Sequence, residues 1–140
     1  MIVVDTNIIA YFLLPTVYAD SVDALFELEP EWVAPIIWKS EFRNVLTQCL
    51  RQKVISLEKS LQFQSLAETL FSEHDFHVPS SHVLTLAAKS SCSSYDCEFV
   101  ALAQYLDVPL ITQNKQVLQD FPEVAVSMAD FLRDKFQPSA

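Results

Sequence analysis

Four oxygen-bearing side chains, far apart in the chain, stand where chemistry would need them: Asp5, Glu41, Asp96 and Asn114. Asp5 directly follows Met1-Ile2-Val3-Val4, a β-branched apolar run that reads as a buried strand. Open α/β sheets place their active sites beyond the carboxyl ends of such strands. An ionised carboxylate there is costly to bury unless it is paired or holds a cation. Asp5 equally suits the cap of a helix starting at Thr6 or Asn7, and this stretch alone leaves capping and catalysis both open. Glu41 falls on the inner stripe of an amphipathic segment, three residues after Trp38 and four before Val45. A charge where core belongs is informative. The plainer reading of Glu41 is a stripe-edge residue paired with Lys39 or Arg43. Asp96 opens a helix and lies on or beside the side that carries Phe99, Val100 and Ala103. Asn114 follows the strand-like Val108 to Thr112.

Three carboxylates converging on one pocket repel one another and need compensating positive charge. No lysine or arginine is placed to neutralise all three, whereas Mg²⁺ or Mn²⁺, which prefer oxygen ligands, would do so. Such a site suits phosphodiester hydrolysis, in which one or two metals about 4 Å apart activate water and neutralise the in-line transition state. Glu41 or Asp96 would then hold or deprotonate the water.

The elements needed to bring these residues together are legible in outline. Ile8 to Leu14 reads as a short buried helix stopped by Pro15, and Tyr18 to Glu29 as a second helix. Trp32 to Ala34 reads as a strand, Pro35 as a helix start, and Ile36 to Lys53 as a long helix. Ser56 precedes a helix, roughly Leu57 to Ser72, that carries Leu61, Leu66, Leu70 and Phe71. Phe76 to Val78 is a short strand, and Pro79-Ser80 opens a helix to Lys89. The serine-rich loop 90–94 supplies caps for the helix Tyr95 to Leu106. Val108 to Thr112 is a strand, Lys115 to Asp120 a short helix, Val124 to Val126 an edge strand and Met128 to Phe136 a last helix. This alternation calls for an α/β/α sandwich around a parallel sheet of four to five strands. The expected organisation is one domain over residues 1–136 and a polar, frayed tail over 137–140.

Composition narrows the function classes. Nine Lys plus Arg against 18 Asp plus Glu give a net charge of −9, which argues against a broad nucleic-acid-binding face. It does not exclude an enzyme that holds a phosphodiester through divalent cations. The chain has no glycine, so the glycine-dependent phosphate loops of ATP, GTP and NAD scaffolds are excluded and no nucleotide cofactor is expected. Cys49, Cys92 and Cys97 are odd in number and lack paired CxxC spacing, which fits reduced thiols in the cytoplasm. Ile8 to Leu14 has no basic leader and is far shorter than the ~20 residues a bilayer span takes, so no membrane role is expected.

Val3-Val4-Asp5-Thr6-Asn7, the run from Ala34 to Leu46 around Glu41, the run from Ser94 to Ala103 around Asp96, and Val108 to Asn114 follow one another in order. Together they resemble the four acidic motifs of the PIN-domain ribonucleases, most of all the VapC-like toxins of toxin–antitoxin pairs. The resemblance covers nearly the whole chain. It implies a PIN-like fold, Mg²⁺-dependent endoribonuclease activity on an RNA substrate, a homodimer and a protein antitoxin partner. By that resemblance Asp5 and Asp96 are direct metal ligands, Glu41 completes the acidic cluster, Thr112 supports it, and Thr6 and Asn7 complete the first motif. Two positions depart from the pattern. The usual fourth Asp is Asn114, which offers a carbonyl oxygen but one charge fewer. Glu98, two positions past Asp96 on a helix, points roughly the other way and does not replace it. Asp107 stands where the family often has a helix-ending glycine, and Asp tolerates the left-handed conformation better than most residues.

The remaining candidates are weaker. His74, His77 and His82 lack a cysteine partner in register and read as surface or capping residues. Cys97 reads as small buried filler, and Ser93 or Ser94, without a nearby base, as caps. Lys39, Arg43, Lys89 and Lys115 are the basic residues nearest the expected pocket, suited to RNA phosphates or simply to solvent. Tyr11, Phe12, Val17 and Tyr18 suit either a partner helix or the core. A PIN-like domain that binds without cleaving is the competing function, motivated by Asn114. A phosphatase would need a second Asp at position 7, and a receiver domain a late Lys that is not found.

Overall fold

The computed structural model describes residues 1–71 and 75–136. His74, Ser72 at the expected end of the fourth helix, and the tail 137–140 lie outside the described residues. The element order is β1 (Ile2–Val4), α1 (Thr6–Leu13), α2 (Ala19–Leu28), β2 (Trp32–Pro35), α3 (Trp38–Arg51), α4 (Leu57–Leu70), β3 (Asp75–Phe76), α5 (Ser80–Ala88), α6 (Ser94–Leu106), β4 (Leu110–Ile111), α7 (Lys115–Asp120), β5 (Ala125–Val126) and α8 (Met128–Phe136).

The five strands form one sheet in the order β3-β2-β1-β4-β5. Each neighbouring pair is parallel; Val3 stands opposite Val33 of β2 and Leu110 of β4. The chain thus winds outward from β1 through β2 to β3, then returns to the other side of β1 for β4 and β5. Its topological switch point lies between β1 and β4, where open parallel sheets leave a crevice at their carboxyl ends. All three residues of β1 are buried, as expected for a central strand covered on both faces.

Polar side chains set where the helices begin. Asp5 caps α1, Ser56 caps α4, Ser93 caps α6 and Asn114 caps α7, each accepting from a backbone N–H of the helix it opens. Asp107 ends α6 in the left-handed region at φ 55°, so Asp does here what glycine does more cheaply. Aromatic rings consolidate the core beside β2: Phe12 stacks on Phe26 at 4.7 Å between centroids, and both meet Trp32 at 5.1 and 5.2 Å. Phe12 is therefore a packing residue, while Val17, at 94% exposure, stands free of the core.

One expectation fails. Pro35 does not open a helix: it is the last residue of β2, opposite Phe76 of β3, and the chain turns through Ile36 and Ile37 before α3. At a strand end the missing N–H costs little. On α4, Leu61 and Leu66 point out, 63% and 55% exposed, while Leu70 packs against the core. Its inward residues are the small Ser60 and Ala67, followed by Phe71, which allow α4 to lie close against its neighbours. The buried Ser60 hydroxyl is satisfied by the Ser56 carbonyl at 3.0 Å. Cys49, Cys92 and Cys97 are free thiols. Among the described residues no helix is long and apolar enough to cross a membrane.

Candidate active site

The switch point delivers Asp5 from the end of β1 and Thr112 from the end of β4, side by side. Asp5 is fixed at both carboxylate oxygens: Oδ1 accepts from the Thr6 backbone N–H at 2.7 Å, and Oδ2 from the Thr112 hydroxyl at 2.7 Å. Asp5 thus caps α1, one of the two readings the sequence left open, and lines a cleft with the same side chain. Thr6, in the first turn of α1, donates its own hydroxyl to Glu41 Oε1 at 2.7 Å and so ties α3 to the end of β1. Both threonines are buried, Thr112 completely. Among the described residues each hydroxyl donates to that one carboxylate, which orients the two acids.

A cleft of about 470 Å³ opens above these groups. Asp5, Glu41, Asp96 and Asn114 all line it, together with Thr6 and Asn7. Asp96 reaches the cleft from the first turn of α6 because the Ser93 hydroxyl accepts the Asp96 backbone N–H at 3.1 Å and starts the helix there. Ser40 and Asn44 also line the cleft. Sequence reading passed over them, although they are the helical neighbours of Glu41 at i−1 and i+3.

Electrostatics mark the cleft as anionic. Burial raises the Asp5 carboxyl above the usual carboxylate range; the bonds from Thr112 and Thr6 pull it partly back, and the negative charge of Asp96 pushes it up again. Glu41 is also raised, first by burial, against the Thr6 bond, and then by the charges of Asp5, Asp96 and Glu98. Among the described residues no ammonium or guanidinium forms an ion pair with Asp5, Glu41 or Asp96. Nor do Lys39, Arg43, Lys89 or Lys115 line the cleft.

The donor set fits a hard divalent cation in kind, since every ligand it offers is oxygen. Among the described residues no three acidic, imidazole or thiol groups close around one point. The cleft is open rather than a cage. Mg²⁺ tolerates that, because it keeps several waters and is held by one or two carboxylates. His77 and His82 stand outside: His82 bonds to Gln104 of α6 at 2.8 Å, and neither lines the cleft.

Asn114 differs from its expected use. Its Oδ1 accepts from the backbone N–H groups of Gln116 at 2.9 Å and Val117 at 3.3 Å, capping α7. Its backbone N–H donates to the Thr112 hydroxyl at 3.0 Å. With both lone pairs engaged, the side chain has only its NH₂ left to turn to the cleft, a donor rather than a ligand. Glu98 lies off the Asp96 face and does not line the cleft, as expected, although its charge adds to those that raise Glu41.

The family model described as PIN domain matches residues 2–125. No curated protein matches in sequence. Among solved structures, FitAcB from Neisseria gonorrhoeae superposes with a TM-score of 0.73 at 14% identity, covering 92% of this chain and 99% of the other. PAE2754 from Pyrobaculum aerophilum gives 0.74 at 15%, with 95% and 87% covered. A toxin–antitoxin complex from Klebsiella pneumoniae gives 0.64 at 20%, with 91% and 98% covered. At such identities the likeness is one of fold.

Proposed function

Because the chain belongs to the PIN domain family, we propose that it is a metal-dependent endoribonuclease that hydrolyses RNA phosphodiester bonds. The observation that supports this most is the cleft itself, which is lined by carboxylates from the end of β1, from α3 and from α6, with no described cation paired to them. Asp5 and Asp96 would hold Mg²⁺ or Mn²⁺, with Glu41 beside them. The metal, when bound, polarises the phosphodiester and its attacking water. Glu41 is suited to accept the proton of that water, since its raised affinity for protons brings it nearer to neutrality than an exposed carboxylate. Thr6 and Thr112 orient Glu41 and Asp5, and Asn7 lines the mouth.

The same reading takes in a protein antitoxin, a homodimer and action in the cytoplasm. Apolar surface for such contacts is present at Val17 and along α4 at Leu57 and Leu61. A specific observation favours a second reading, a PIN-like domain that binds RNA or protein with weakened catalysis: Asn114 supplies no charge, and its oxygen is committed to α7.

RNA cleavage across an Mg²⁺ and Mn²⁺ titration, run beside Asp5→Asn, separates the two. Metal-dependent cleavage lost in Asp5→Asn is the expected result. No difference between the proteins at any metal concentration would leave the binder. Light scattering of the purified chain and co-purification with the product of the adjoining reading frame test the dimer and the antitoxin.

A further inference from the structure

A second cavity, of about 320 Å³, lies against the opening turns of α6. Its walls are Val78, Val83 and Leu84, and its polar groups are Ser80, Ser94 and Glu98. Ser94 and Glu98 are four apart and share one face of the helix, whereas Asp96 turns to the carboxylate cleft. Tyr95 falls between them on the helical wheel, 58% exposed. The two cavities therefore flank one helix end, and the charge of Glu98 is felt at Glu41. Glu98 is half-buried; burial raises its carboxyl above the usual carboxylate range, His77 pulls it partly back, and among the described residues it forms no hydrogen bond.

An ionised carboxylate only accepts. Its complement in an apolar-walled slot is a flat group with two donors side by side. Among nucleobases only guanine presents that pair, N1–H and N2–H, on its Watson–Crick edge. Adenine and cytosine set a donor beside an acceptor, and uracil sets one donor between two carbonyls. A phosphate would be repelled by Glu98. Single-stranded RNA is read in this manner, through base edges in pockets and base stacking on aromatic rings.

We propose that this cavity is a nucleobase subsite that takes a guanine of single-stranded RNA, its Watson–Crick edge on Glu98 and an adjoining base on Tyr95. It rests on the RNA-cleaving reading of the neighbouring cleft.

The test uses fluorescent uridine octamers that carry one central G, A, C or inosine. Their binding to the protein and to Glu98→Gln is measured in EDTA, and their cleavage by the protein with Mn²⁺. The guanine octamer is expected to bind about tenfold or more tightly than the others. Inosine, which lacks the N2 amine, should lose most of that preference, and Glu98→Gln should bring the ratio to about one. Inosine perturbs the RNA alone, so the test holds even if the variant misfolds. Equal binding of all octamers, or a guanine preference that survives both changes, overturns the proposal. Cleavage without base preference overturns the subsite and leaves the nuclease. Guanine binding through Glu98 without cleavage upholds the subsite and removes the nuclease. Glu98-dependent binding of an arginine-rich peptide alone makes the pocket a protein site, and the proposal fails.

Discussion

Replacing Thr112 by Val removes one hydroxyl from a fully buried position and keeps the shape of the side chain. Two bonds go with it: the donation to Asp5 Oδ2 at 2.7 Å and the acceptance from Asn114 N–H at 3.0 Å. A hydrogen bond to a charged group contributes about 1.5–3 kcal/mol, and a buried N–H left without a partner costs about 1–3 kcal/mol. The Asp5 carboxylate is only partly buried, and water recovers some of the loss. An unfolding free energy lower by about 2–4 kcal/mol is the expectation, a large share of the roughly 5–15 kcal/mol that holds such a domain together. Urea denaturation in EDTA measures it. Thr112→Ser keeps the hydroxyl and should lose about 1 kcal/mol for the missing methyl group. Combining Thr112→Val with Asp5→Asn closes a double-mutant cycle that isolates the Thr112–Asp5 term. Additive effects, or a loss under about 0.5 kcal/mol, the range of ordinary surface changes, would refute the claim that this bond fixes Asp5.

Asp5→Asn should abolish Mn²⁺ binding by calorimetry and yet raise the metal-free melting temperature, because it removes a carboxylate that burial and Asp96 both oppose; a lower melting temperature counts against the crowding. With the Asp5 and Glu41 carboxyls raised when folded, the native state keeps protons that the unfolded chain has already released, so metal-free stability should fall as the pH climbs from about 4 through their native range. Saturating Mg²⁺ should flatten that fall, and a metal-free stability that climbs instead would show the carboxylates to be compensated. Asn114→Asp keeps a good cap for α7 while giving the cleft a second oxygen and a charge, so Mn²⁺ affinity should tighten severalfold with little change in melting temperature. Unchanged affinity would mean that position 114 does not face the metal.

The sheet and the order of its elements were legible because β-branched runs and proline or serine boundaries recur at every turn of the chain. α7 and α8 begin and end where the residues say they should. The inward face of α4 was not legible: hydrophobicity points to Leu61 and Leu66, but close packing selected Ser60 and Ala67 instead. Periodicity reports where apolar residues are, not which side a neighbouring helix approaches most closely. In the cleft, the acids could be found by their odd positions in apolar stretches. The threonines that orient them were named only through the resemblance, since a hydroxyl gains its meaning from partners 35 and 107 residues away. Asn114 lines the cleft where the motif places it, but the cap it makes for α7 was not legible, because a cap and a ligand call for the same oxygen.

The innermost strand of the sheet is also the first to be synthesised, and the hydroxyl that steadies its aspartate comes 107 residues later. A growing chain therefore carries Asp5 with no fourth strand to lie against until β4 has been made. Long-range pairings of this kind form late, after the loops between them have closed. A cleft assembled in this order has no fixed Asp5 until β4 has emerged and closed against β1.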